Sequence, residues 1–150
     1  MNLNRYDHDF YAWTQEQAQL LRTGKFNQID FDHIAEEIED MGRSEKRELE
    51  SRLEVLLMHL LKWQFQPNLR SRSWQLTIKE QRLRLEKLLA ENPSLKSFLA
   101  DSLEKIYQLA TISAERETGL SYFPQICPYS LTEIFTPEFL PTEEAGNFNK

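Results

Sequence analysis

His33, Glu37 and Asp40 stand at i, i+4 and i+7, with Glu36 adjacent, and on a helix that spacing gathers them on one side. An imidazole and carboxylates so placed could ligate a divalent metal for a metal-dependent hydrolase or nuclease. Di-metal helical bundles, however, draw Glu-x-x-His motifs from paired helices. No such motif occurs here; the nearest is Asp30-x-x-His33, found once. A solvated acidic face accounts for the same residues more simply, so neither a metal nor a cofactor is expected.

Two further polar residues fall where apolar ones would be expected. His59 lies beside the stripe of Leu56, Leu60 and Trp63, with Lys62 close by. Histidine titrates near neutrality and can act as a general base. No serine or cysteine nucleophile pairs with it, and the single Cys127 lies far along the chain, so a half-buried structural histidine is the simpler reading. Arg82 interrupts the stripe Ile78, Leu85 and Leu89. A cation facing a core must be paired. Reflection about the turn near residues 69 and 70 puts Arg82 opposite Leu57, which makes Glu54 the nearest carboxylate. An anion-binding role is the functional alternative.

A third group gathers at one end of the expected bundle. Trp63 and Trp74 flank a short loop containing Pro67, so the flanking helices should be antiparallel neighbours with both indoles at the same end. The next helix is long enough to bring Glu117 back to that end. The expected cluster is Glu117 with Lys62 or Arg72, roofed by Trp63, Trp74 and the segment from Tyr122 to Tyr129. Its favoured role is a plug that fixes where the tail docks. An aromatic ligand pocket ringed by charge would use the same residues.

These residues must be positioned by helices. Leu, Glu, Gln, Lys and Arg dominate the middle of the chain, with only four glycines and six prolines in 150 residues, a composition rich in helix formers. A first helix is predicted over about residues 9–22, opened by acidic residues and stopped by Gly24. A second opens at Asp30 or Asp32 with the stripe Phe31, Ile34, Ile38 and Met41. Gly42 either breaks or kinks it. A third runs over 44–66, stopped by Pro67. A fourth is capped by Ser71 or Ser73. A fifth begins at Pro93 with Asn92 as cap and ends at Gly119. Beyond Gly119 lie four of the six prolines and many apolar residues, which predicts an extended strap packed on the bundle. Ser130-Leu131-Thr132-Glu133 fits a capping box, so one helical turn is expected within it. Residues 143–150 should fray.

The net charge of −6 is uneven: residues 1–42 carry 3 Lys/Arg against 9 Asp/Glu, and residues 67–90 carry 6 against 2. The basic residues Arg70, Arg72, Lys79, Arg82, Arg84 and Lys87 spread around their helix and are interrupted by Glu80 and Glu86. Phosphate-backbone binding wants one continuous basic face, so nucleic-acid binding through the basic helix 70–87 is the weaker alternative. One cysteine excludes an intrachain disulfide and suits a reducing, cytoplasmic setting. No signal peptide and no membrane span are expected.

The strings Tyr6-x-x-Asp9-Phe10-Tyr11-x-Trp13, Glu36-Glu37-Ile38-Glu39 and Gly42-Arg43-Ser44-Glu45 occur in that order. His59-Leu60-Leu61-Lys62-Trp63-x-x-x-Pro67, Ser73-Trp74, Glu117-Thr118-Gly119 and Cys127-Pro128-Tyr129 follow. Together they resemble the bacterial family known as domain of unknown function 29, from about Tyr6 to Pro141. The resemblance implies a compact helical protein and supplies no catalytic residues. The expectation is therefore an all-α protein: one helical domain over 1–150 with its core at about 6–141, an antiparallel bundle with an extended, proline-containing C-terminal tail. Its expected role is a non-catalytic interaction or regulatory module. A protein partner and self-association both stay open.

Overall fold

In the computed structural model, which describes residues 5–142, the chain is all-α. Among the described residues there are six α-helices, two short 3-10 turns and no strand. They divide into two compact units between Ser44 and Glu45.

The first unit holds α1 (Arg5–His8), α2 (Phe10–Thr23) and the 3-10 turn Phe26–Gln28. It also holds the first part of α3, whose full span is Phe31–Phe65. The one-turn helix α1 was not expected from the sequence. Asp9 caps α2 by accepting the Ala12 N–H at 3.1 Å. Gly24 closes α2 at φ 73, with its N–H on the last-turn carbonyls of Leu20 and Leu21; that left-handed backbone favours glycine. Among the described residues of this unit, two large apolar residues are buried, Trp13 and Ile29.

The second unit takes the rest of α3 with α4 (Arg72–Glu91), α5 (Leu95–Thr118), α6 (Leu131–Phe135) and the segments around α6. Gly42 lies inside α3 without a break. Ser71 caps α4 by accepting the Trp74 N–H. Gly119 ends α5 in the left-handed region. The expected cap at Asn92 is displaced. Asn92 closes α4 instead, with both its backbone N–H and its amide nitrogen on the Leu88 carbonyl, and α5 opens at Leu95.

Side-chain contacts fix the directions. Glu45 meets Asn92, Arg52 meets Gln81, and Lys62 meets Trp74; as one number rises the other falls, so α3 and α4 are antiparallel. Lys46 lies over Phe98, Glu54 accepts from Ser113, and Lys62 pairs with Glu117; both numbers rise, so α3 and α5 are parallel. The core between them is built from Leu49, Leu53, Leu56, Leu57, Leu60 and Leu61 of α3 against Ile78, Leu85, Leu88, Leu99, Ile106 and Ala110.

The segment after Gly119 straps this core. Phe65 meets the rings of Tyr122 and Phe123. The Tyr107 hydroxyl donates to the Pro124 carbonyl. Tyr129 and Ile134 are fully enclosed. Ser130 and Glu133 form the capping box that starts α6. Residues 143–150, expected to fray, lie outside the described residues.

Candidate functional site

In the second unit the sequence-predicted cluster comes together at three of its members. Lys62 is nearly buried. Its ammonium donates to Glu117 Oε1 at 2.8 Å and sits 4.7 Å from the centre of the Trp74 ring. A buried ammonium needs such compensation, and here a carboxylate and an aromatic face supply it. The other four go elsewhere. Trp63 is covered by Arg70, which donates to the Trp63 carbonyl at 2.7 Å and lies over its ring. Tyr122 stands exposed against Phe65. Tyr129 is buried, its hydroxyl on Gln64 Oε1 at 2.7 Å. Arg72 makes no ion pair among the described residues and lines a groove on α4.

His59 Nδ1 donates to the Val55 carbonyl, 2.8 Å away. Because a carbonyl only accepts, Nδ1 carries the proton. Burial, against the bond to Val55 and helped by the nearby Lys62 charge, pushes the imidazole below its usual value.

Arg82 is enclosed, as its stripe position implies, but its partner differs from the one expected. Glu54 accepts from Ser113. Arg82 instead donates from Nε to the Ile134 carbonyl at 2.7 Å, from Nη1 to Pro137 at 3.1 Å and from Nη2 to Glu133 at 3.3 Å. The guanidinium thus receives the carbonyl end of α6, where a cation is favoured. The groove beside it, about 410 Å³, is also lined by Arg72, Lys79, Leu76, Glu138 and Leu140.

In the first unit the proposed metal ligands have other partners. His33 Nδ1 lies 2.7 Å from Asp30 Oδ2, which also accepts the Trp13 indole N–H at 3.1 Å. Asp30 Oδ1 accepts the His33 backbone N–H and so caps α3. The Gln17 amide oxygen accepts the Asp30 N–H at 2.8 Å. Tyr6 stacks on His33, with ring centres 3.9 Å apart, and donates to Glu37 at 3.0 Å. Asp40 pairs with Arg43. Among the described residues no group of three or more His, Cys, Asp or Glu could hold a metal ion. Burial raises the Asp30 carboxyl, but bonds from His33 and Trp13 outweigh it and hold the carboxyl below its usual value. The same bond to Asp30 lifts His33 above its own, against a smaller effect of burial. Burial and the bond to Glu37 push Tyr6 up to about 12. Sequence reasoning missed this knot, although the Asp30-x-x-His33 spacing carried its signal: a helix cap and the third residue after it.

Among its described residues the same unit exposes more large apolar side chains than it buries. Phe31, Ile38 and Met41 on α3 are 57%, 57% and 62% exposed, joined by Phe10, Tyr11, Leu21 and Phe26. At about 100° per residue, Phe31, Ile34, Ile38 and Met41 fall within about 80° of one another. Asp32 and Glu39 border this stripe on one edge and Glu37 on the other.

An all-α chain with these motifs in this order matches the family model described as domain of unknown function DUF29 over residues 5–140, and it belongs to that family. No curated protein and no solved structure matches it. Among the described residues, no helix is long and apolar enough to cross a membrane.

Proposed function

We propose that the chain is a non-catalytic interaction module that docks a basic, amphipathic helical segment of a partner protein on the exposed face of α3. One observation carries this reading: among its described residues the first unit buries two large apolar residues and exposes seven. Isolated exposed apolar residues need no explanation, but a contiguous stripe rimmed by polar residues marks an interaction surface. Helices pair along apolar stripes that recur at i, i+3 and i+7, and Phe31, Ile34 and Ile38 have that spacing. The charge of the rim selects the partner. Residues 31–43 hold five carboxylates, at 32, 36, 37, 39 and 40, against one basic residue, Arg43. Opposite charge on a partner would speed encounter and fix register.

The hydrolase alternative is weaker because its ligands are engaged: His33 by Asp30, Glu37 by Tyr6 and Asp40 by Arg43. The test titrates a fluorescent helical peptide of leucine and lysine, with leucine at i, i+3 and i+7, into the protein. Saturable binding is expected, weakened by salt and at least tenfold weaker for the double variant Ile38→Glu, Met41→Glu. Equal binding by the variant, or a concentration-dependent dimer that excludes the peptide, would overturn the reading.

A further inference from the structure

The structure also carries a charged groove in the second unit, between α4 and the strap. Its cations are Arg72, Lys79 and Arg82, and its one carboxylate is Glu138. Three positive groups against one negative leave a surplus of +2. Neither Arg72 nor Lys79 forms an ion pair among the described residues. Arg82 is buried and lines the same groove. A guanidinium has five N–H donors, and the carbonyls of Glu133, Ile134 and Pro137 take three of them, so two remain. Among the described residues no carboxylate lies within ion-pair distance of it. A cation held by neutral carbonyls keeps its full charge, and burial fixes its position.

The groove has an apolar side as well, from Leu76 and Leu140. At about 410 Å³ it falls within the range of small-molecule sites, which pair an apolar lining with a few placed polar groups. The surplus charge matches a phosphate monoester, which approaches a dianion at neutral pH. Arginine recognises phosphate oxygens through paired N–H groups, and lysine adds a point charge.

We propose that the groove lined by Arg72, Lys79 and Arg82 binds a small organic phosphate monoester, with its apolar body against Leu76 and Leu140. This proposal does not rest on the reading of the α3 stripe.

The test is calorimetric titration of the full chain at low salt with phenyl phosphate, inorganic phosphate and benzoate. Phenyl phosphate should bind one to one and most tightly, because inorganic phosphate lacks the apolar body and benzoate carries a single charge. The double variant Arg72→Gln, Lys79→Gln alters two exposed side chains and leaves Arg82 on the strap. It should keep the wild-type melting temperature and bind phenyl phosphate at least tenfold more weakly. Lack of saturation at millimolar phenyl phosphate, equal binding by the variant, or equal affinity for benzoate would overturn the proposal. So would binding of a single-stranded oligonucleotide where phenyl phosphate does not bind, since a surface for the nucleic-acid backbone would then explain the cations.

Discussion

The two characterised histidines respond to pH with opposite sign. Bonding to Asp30 raises His33 above its ordinary value of 6.5. Its contribution to stability is therefore complete below 6.5 and is lost as the pH rises through the folded value. Burial lowers His59 below 6.5. The unfolded chain then binds the extra proton, so stability is lost as the pH falls from 6.5 toward the folded value. Melting curves from pH 5 to 8 should separate them: His33→Gln should remove a component that falls with pH, and His59→Gln one that rises. Identical pH profiles for wild type and both variants would refute these placements. His59's burial was legible in the sequence because it sits on a leucine stripe. The Asp30-x-x-His33 spacing carried the signal for the bond of His33, but its ring neighbours were not legible, since Trp13 and Tyr6 reach it only through tertiary packing.

At the scale of the helix, Gly42 offers a direct test. It sits inside α3, and a Cβ built on it would meet nothing within 4 Å. Glycine costs a helix interior roughly 0.5–1 kcal/mol relative to alanine. Gly42→Ala should therefore stabilise the protein by about that amount, read as a higher melting temperature; a lower one would place a bend or a close neighbour there. Helix positions were largely readable in advance, because caps, stop residues and apolar spacing are local. Whether Gly42 broke the helix was not, since a single glycine's cost is smaller than what the flanking turns contribute. The stripe Phe31, Ile34, Ile38 and Met41 was visible too, but periodicity identifies an apolar face without saying whether anything covers it. Asn92 was misplaced by one role because a residue between two helices can close the first or open the second.

For the molecule as a whole, one buried cation, Arg82, ties the middle of the strap after Gly119 to α4. Arg82→Ala would leave the carbonyls of Glu133, Ile134 and Pro137 without their charged donor. Bonds to charged groups contribute about 1.5–3 kcal/mol each, with strong overlap where one group makes several. The variant should therefore lose at least about 2 kcal/mol of stability in denaturant titration. Arg82→Lys should rescue little of it, because an ammonium cannot span three carbonyls in a plane. A loss under about 0.5 kcal/mol would mean that the strap is held by its apolar residues and its other hydrogen bonds, without help from Arg82. The presence of a strap followed from its composition. The partner of Arg82 did not, because counting along a hairpin finds carboxylates and overlooks backbone carbonyls from a distant segment.

That strap also sets an order of events during synthesis. Its anchors join residues far apart in sequence: Tyr129 to Gln64 across 65 positions, and Arg82 to Ile134 across 52. The helices that it covers are made first. At about 5–20 residues per second, residues 120–140 follow α5 from the ribosome by about one to four seconds. Through that interval the leucine-rich surface between α3, α4 and α5 lacks the lid of Tyr129 and Ile134. Its completion waits on a segment translated after all three helices, so a pause just beyond Gly119 prolongs the time in which a nascent chain can aggregate or meet a chaperone.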